Sequence, residues 1–268
     1  MSIESLGFLG YGNMAGAIAE GLLKQGAIAA KHIFIFDPSD SQRQHATQMG
    51  LNVVEAAAEL GEQCTTIVLA VKPQQMESAL KDLHDGLGAE HVLISIAAGI
   101  SIAAIEAQVP EGVRVIRVMP NTPALVRAGA AGIACSATCS DTDTVLAQII
   151  FGAVGIAESV TESDMDAVTA LSGSGPAYFF YMVECLVEAA VAQGLDRDVA
   201  TRLASQTLLG AGTLLAQSDV GPATLREQVT SPGGTTAAAL NTFRELNLMD
   251  TVAAAVKAAA DRSKELGA

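Results

Sequence analysis

Gly10-x-Gly12-x-x-Ala15 lies between an apolar run, Leu6-Gly7-Phe8-Leu9, and a helical pattern from Met14 to Gln25. That spacing suits a dinucleotide diphosphate. The first glycine permits a sharp turn out of a strand, and the second has no side chain to hold off the phosphates. Ala15 is small enough for helix and strand to pack closely. A helix opening there directs its unpaired N–H groups at the anion. An ordinary strand-to-helix connection carries the same letters, so the reading depends on what accompanies the turn.

Phe36-Asp37-Pro38 ends a second apolar run, 22 residues after Ala15. A carboxylate there bonds the adenosine ribose hydroxyls and disfavours a 2′-phosphate, so Asp37 favours NAD(H). A turn or helix-capping Asp fits the same place. Arg43 follows at a distance from which it could meet a phosphate. Val71-Lys72-Pro73-Gln74 closes a third apolar run. Ligands of an open α/β sheet lie outside the carboxyl ends of its strands, which puts Lys72 beside the cofactor. A solvated loop lysine looks identical. Arg117-Val118-Met119-Pro120-Asn121-Thr122-Pro123 ends another run. Its prolines hold Asn121 and Thr122 extended, an arrangement suited to a bound carboxamide or to a plain connection. Two glycine-rich turns, residues 172–176 and 230–236, each lead into a helix. The second offers Ser231, Thr235 and Thr236 as a carboxylate cradle. The alternative is an interhelical turn with capping hydroxyls.

Other chemistries lack their parts. Glu184 and Glu188 share a helix face, but no Glu-x-x-His accompanies them, so no metal is expected. His32, His45, His84 and His91 are scattered without a Ser or Cys partner. Cys64, Cys135, Cys139 and Cys185 form no Cys-x-x-Cys pair and read as small buried apolar residues. A net charge of −14 with no basic stretch argues against nucleic acid. The N-terminus lacks a signal-peptide pattern, and Gly or charged residues interrupt each apolar stretch. A cytoplasmic enzyme with no membrane partner is the expectation.

Strand-like runs are expected at residues 5–9, 33–36, 52–54, 66–71, 92–96, 114–118, 132–135 and 156–158. Helical patterns alternate with them, as at 74–84 and 102–108. Such alternation predicts a mostly parallel sheet with helices on both faces. With a glycine turn after the first strand, this is a Rossmann-type α/β domain over residues 1–160. Beyond it, Ala- and Leu-rich helical patterns cover 176–193, 198–217, 235–246 and 249–266, an all-α domain over 161–268. Tyr178, Phe179, Phe180 and Tyr181 point in different directions on one helix, which predicts burial on several faces. Gly210 and Gly212 interrupt the next helix, as a close second backbone would permit. Both features point to a homodimer.

Taken together the motifs resemble the pyrroline-5-carboxylate reductase family across the whole chain. The resemblance is carried by Gly7-Phe8-Leu9-Gly10-x-Gly12-Asn13-Met14-Ala15, Ala70-Val71-Lys72-Pro73-Gln74, Ser95-Ile96-Ala97-Ala98-Gly99-Ile100 and residues 117–123. Leu171-Ser172-Gly173-Ser174-Gly175-Pro176-Ala177-Tyr178 and Val229-Thr230-Ser231-Pro232-Gly233-Gly234-Thr235-Thr236 complete it, and generic Rossmann enzymes lack these two blocks. The resemblance implies reduction of L-1-pyrroline-5-carboxylate to L-proline with NADPH or NADH, the last step of proline synthesis. It implies a helical dimerisation domain that interlocks in dimers, in several members assembled into decamers. It places the substrate carboxylate on Ser231, Gly234, Thr235 and Thr236, with Thr236 at the ring nitrogen and acidic Asp219 nearby. It puts Gly10, Gly12, Asn13, Met14 and Ala15 on the diphosphate, and Ala70, Lys72 and Pro73 on the nicotinamide side. Asn121 joins them as a cofactor contact. Asp37 departs from members that prefer NADPH, which often carry Ser, Thr, Asn or Arg there.

The chemistry so implied needs a bound carboxylate, a proton source at the ring nitrogen and a dry face for hydride. Thr236, or a water it holds, is the expected proton donor, with Lys72 as an electrostatic element. Two rivals use the same letters: a reductase of another small imine or keto acid, and a nucleotide-binding regulatory protein without turnover.

Overall fold

The computed structural model describes residues 3–267. Among the described residues eight strands form one sheet: β1 (Leu6–Leu9), β2 (Ile33–Phe36), β3 (Asn52–Val53), β4 (Thr66–Leu69), β5 (Val92–Ser95), β6 (Arg114–Met119), β7 (Gly129–Cys135) and β8 (Gly155–Ser159). Their order is β3-β2-β1-β4-β5-β6-β7-β8. Neighbours are parallel except β6 and β7. β1, β4 and β5 are buried along their whole length, as expected of parallel strands covered on both faces. The chain order reverses at β1, which pairs with β2 on one side and β4 on the other. That reversal opens a crevice at the strands' carboxyl ends.

Helices α1 (Asn13–Gln25), α2 (Asp40–Gln48), α3 (Ala58–Gln63), α4 (Met76–Leu83), α5 (Ile102–Glu106), α6 (Asp141–Gly152) and α7 (Met165–Val168) belong with the sheet. Alternation along the strands divides the core in two. Phe8, Val68, Ile94 and Ile116 join Ile18 and Leu22 of α1 and Phe151 of α6. Leu9, Ile67, Leu69 and Leu93 join Leu80 of α4 and Ile105 of α5. Successive strand side chains point to opposite faces, so each strand feeds both layers. α1 ends where Gly26, at φ 69, caps the carbonyls of Leu22 and Leu23.

Helices α8 (Gly175–Ala192), α9 (Arg197–Gln217), α10 (Pro222–Gln228), α11 (Thr235–Glu245) and α12 (Leu248–Leu266) follow. The chain forms two compact units, residues 3–174 with 259–267, and residues 175–258. The first unit runs past residue 160 because α7 and the stretch behind it lie against β7. The last two turns of α12 belong to it too, with Ser263 Oγ donating to Asp166 Oδ1 at 2.7 Å.

Three local expectations are corrected. Residues 172–174 form no turn: Thr169–Gly173 is a π-helical ring, with Ser174 N–H bonded to Thr169 O at 2.8 Å, and runs straight into α8. In the loop after β6 Asn121 is extended and Thr122 is not. Thr122–Val126 is a 3-10 helix, because the φ that Pro123 imposes also suits a first helical turn. The single chain by itself does not cover α8 on all sides, as the expectation of a second copy over it requires. Phe179, Phe180 and Tyr181 are 58%, 59% and 67% exposed. α8 pairs with α9, and a two-helix hairpin covers only one stripe of each. In the second unit only Gly175, Val187 and Ala200 are buried. Cys185 lies exposed on α8, and Cys135 and Cys139 are half-buried, so only Cys64 has the buried setting expected of all four.

Candidate active site

The turn after β1 is shaped by one glycine and left open by another. Gly10 sits at φ +92, and a Cβ there would stand 2.9 Å from the Ala70 carbonyl oxygen. The protein itself therefore requires this glycine. At Gly12 a Cβ would meet nothing within 4 Å, so the protein's own packing does not require it. Gly12 is the extended N-cap of α1 and supplies no side-chain cap; the first helical bond runs from Gly16 N–H to Gly12 O at 2.9 Å. The N–H groups of Asn13, Met14 and Ala15 thus have no intrahelical acceptor. Open space above free N–H groups at a helix start fits a diphosphate.

A cavity of about 410 Å³ adjoins this turn, lined by Gly10, Gly12, Asp37, Ala70, Lys72 and Gln75 among others. The structure thus brings together the glycine turn, the end of β2 and the segment after β4. Lys72 is exposed there, opening the 3-10 turn Pro73–Gln75. Asp37 is engaged by the backbone around it. Its Oδ1 accepts the Ser39 N–H at 2.8 Å and its Oδ2 the Tyr11 N–H at 2.7 Å. Arg43 pairs with Asp40.

Asn121 has both ends of its amide engaged. Oδ1 accepts the Ala130 N–H, and Nδ2 donates to Ser172 O, each at 2.9 Å. It ties the loop after β6 to β7 and to the π-helical ring. Arg117, in the same motif, is buried and pairs with Glu162 at 3.5 Å, while Glu162 accepts the Ile102 N–H at 2.7 Å.

Two residues were not singled out in the sequence. Tyr11 is fully buried, its ring edge-on to Phe8 and its hydroxyl 3.3 Å from Met49 Sδ. Burial, with the charge of Glu20 adding, pushes its phenol up to about 12. Arg127 is held in the left-handed region at φ 59, an unusual conformation for a side chain of its size. It lines a second cavity of about 370 Å³ with Gly12, Asn13 and His45. Neither signal is visible in the letters, since both are properties of the backbone path.

In the helical unit, α10 leads into a tight turn in which Gly234 N–H bonds Ser231 O at 3.0 Å, with Gly233 at φ 71. Gly234 is the uncapped N-cap of α11. The N–H groups of Thr235, Thr236 and Ala237 therefore lie at a helix start, beside the hydroxyls of Ser231, Thr235 and Thr236. Thr236 is half-buried and Thr235 exposed. Asp219 is exposed in the connection between α9 and α10. Glu188 is bound by Arg197 at 2.8 Å, and that hydrogen bond holds its carboxyl below the usual range.

Known proteins match the chain over its whole length. Residues 162–266 match the family described as pyrroline-5-carboxylate reductase dimerisation. Residues 5–99 match the family described as NADP oxidoreductase coenzyme F420-dependent. The chain is 43% identical to the pyrroline-5-carboxylate reductase of Pseudomonas aeruginosa, over 99% of this chain and 98% of that protein. The structure of a pyrroline-5-carboxylate reductase from Coxiella burnetii superposes at a TM-score of 0.95 with 35% identity, covering 100% of both chains. The Plasmodium falciparum pyrroline carboxylate reductase, solved with NADP bound, superposes at 0.85 with 34% identity, also covering 100% of both. With the glycine turn, the strand order and the helical unit all matched from end to end, the chain belongs to the pyrroline-5-carboxylate reductase family.

Proposed function

We propose that the N-terminus of α1 holds the cofactor diphosphate and the N-terminus of α11 holds the substrate carboxylate, in an enzyme that reduces L-1-pyrroline-5-carboxylate to L-proline. The chain is an NAD(P)H-dependent oxidoreductase acting on a C=N bond. The observation that carries the site is the open space at Gly12 over the free N–H groups of α1.

NAD(P)H, when bound, supplies a hydride for the C=N carbon. The chain's own groups do the rest. Asn13, Met14 and Ala15 present N–H groups to the diphosphate, beside the Gly10 turn. Ala70, Lys72 and Pro73 take the nicotinamide side, the Lys72 ammonium offsetting negative charge in the cavity it lines with Ala70 and Asp37, and Asn121 contributes through the loop it braces. Ser231, Gly234 and Thr235 hold the carboxylate, aided by the helix dipole of α11. Thr236, or a water on its hydroxyl, delivers a proton to the ring nitrogen, because an iminium accepts hydride more readily than an imine. Asp219 keeps positive charge favourable near that nitrogen. No step requires a metal or a nucleophilic side chain.

The working form in this reading is a homodimer built through the helical unit, and a decamer would be assembled from such dimers. The exposed aromatics of α8 support it, as does the name of the family matched there. The helical run Glu162–Ala192 is long and apolar enough to cross a membrane by length and composition, with 11% of its most apolar stretch buried. A second copy of the chain is the cover favoured here, since the matched family is one of dimerisation. Net charge of −14 opposes nucleic-acid binding, and four free cysteines suit a reducing cytoplasm.

A spectrophotometric assay with pyrroline-5-carboxylate, run in parallel with NADH and NADPH, tests the reading. Protein that binds either dinucleotide yet never oxidises it with this substrate would sink it. Faster turnover of a six-membered cyclic imine would reassign the substrate.

A further inference from the structure

Asp37 contacts the glycine turn directly. The residue is 9% exposed, and each carboxylate oxygen accepts a backbone N–H. The bond from Ser39 is local, the Asx turn expected of Asp-Pro-Ser. The bond from Tyr11 spans 26 residues and lands between the two glycines of the turn. The neighbouring N–H, that of Gly10, goes to Phe36 O at 2.8 Å. The first two N–H groups of the turn are therefore both fastened to the end of β2. The Tyr11 side chain completes the anchorage, with Phe8 at 6.3 Å and His45 at 5.8 Å between ring centroids. Gly10 and Gly12, on either side, contribute no stiffness of their own. What keeps the turn in one shape is Tyr11, held by its ring on one side and by Asp37 on the other.

We propose that Asp37 is a positioning residue for the diphosphate turn, supporting NADH and NADPH alike instead of choosing between them. The proposal rests on the dinucleotide reading above. A carboxylate that reads the ribose acts where the two cofactors differ, so changing it moves their affinities apart. A clamp on the turn acts on the diphosphate, which both cofactors share, so loosening it weakens both by the same factor.

The test uses Asp37→Ala and Asp37→Asn in the full chain, with steady-state kinetics for each dinucleotide at saturating pyrroline-5-carboxylate. Amide hydrogen exchange at Tyr11 is measured on the same proteins. Asp37→Ala removes both acceptors. Asp37→Asn keeps one and turns a donor toward the other N–H, and it serves where the alanine variant does not fold. The KM for NADH and for NADPH rises together, about 10-fold in Asp37→Ala, the size of one charge-assisted hydrogen bond, and less in Asp37→Asn. kcat and the ratio of the two kcat/KM values stay within about 3-fold of the parent. The Tyr11 amide exchanges roughly 10-fold faster or more. A shift of the ratio toward NADPH by about 10-fold or more overturns the proposal, because it returns Asp37 to the ribose. Unchanged Tyr11 protection overturns it as well. A parent protein that oxidises neither dinucleotide overturns the function instead, and Tyr11 exchange still decides the clamp.

Discussion

The side-chain amide of Asn121 donates to the carbonyl of Ser172 at 2.9 Å, in the π-helical ring just before Pro176. Ser172 lies four positions before Pro176, which has no N–H to give to that carbonyl. The other end of the same amide accepts the Ala130 N–H. One side chain thereby satisfies one backbone acceptor and one backbone donor, and joins the Met-Pro-Asn-Thr-Pro loop to the ring that precedes α8.

Asn121→Ala leaves both backbone groups without that partner and should destabilise the protein by about 2–4 kcal/mol, read from the denaturant midpoint. Asn121→Asp keeps the bond to Ala130 and faces Ser172 with an acceptor, so it should fall between. In a Pro176→Ala background an N–H becomes available to Ser172, and the Asn121→Ala penalty should shrink by about 1 kcal/mol. Equal penalties in both backgrounds would mean that the proline and the amide are not coupled.

The two glycines of the first turn should separate cleanly. Gly10→Ala forces a side chain into φ +92 and against the Ala70 carbonyl, so the protein loses stability whether or not a dinucleotide is added. At Gly12 a Cβ meets open space, so the melting temperature of Gly12→Val should stay near that of the parent while its KM for either dinucleotide rises by about 10-fold or more. Thermal unfolding with and without NADPH distinguishes the two. Gly12→Val that binds dinucleotide normally would remove the diphosphate from this turn.

Thr236→Ala should lower kcat/KM for pyrroline-5-carboxylate by roughly 100-fold or more, with the KM for NAD(P)H little changed. Thr236→Ser keeps the hydroxyl and should recover most of the loss. Full activity in the alanine variant would transfer the proton to another donor.

The aromatics of α8 should govern assembly. Phe179→Glu combined with Phe180→Glu places two charges on a face whose residues are 58% and 59% exposed in the single chain. Sedimentation should then report a single chain where the parent sediments as a dimer or larger. A parent that already sediments as one chain contradicts the assembly proposed here.

Alkaline pH should unfold the protein partly through Cys64. Burial, opposed in part by a hydrogen bond with Ser5, raises its thiol from 9.0 to about 12. The folded pKa lies above the unfolded one. The stability it contributes is therefore complete below pH 9 and is lost as pH rises toward 12. Melting temperature against pH should flatten over that window in Cys64→Ala, by at most one proton's worth of slope. An identical slope in both proteins would assign the alkaline loss to other groups, Tyr11 among them.

Much of this protein was legible in the letters. The apolar runs at β1, β4 and β5 and the glycine turn predict an α/β sheet because strands buried on both faces admit little but aliphatic residues. The spacing of Gly10, Gly12 and Ala15 reads as a diphosphate turn, and the fold itself demands a glycine at Gly10, where a Cβ would stand 2.9 Å from the Ala70 carbonyl oxygen. The long Ala-rich patterns of α8, α9, α11 and α12 read as helices for the same local reason, period and propensity. Hydrogen-bond partners far apart in sequence were not legible. Asp37 could read a ribose or close a turn, and only the fold brings Tyr11 N–H to its carboxylate. Asn121 could hold a carboxamide or brace a loop, and only the fold sets Ser172 O and Ala130 N–H at its two ends. Local sequence determines which backbone groups a segment leaves unpaired; tertiary structure decides which distant side chain satisfies them, because that depends on where the rest of the chain runs.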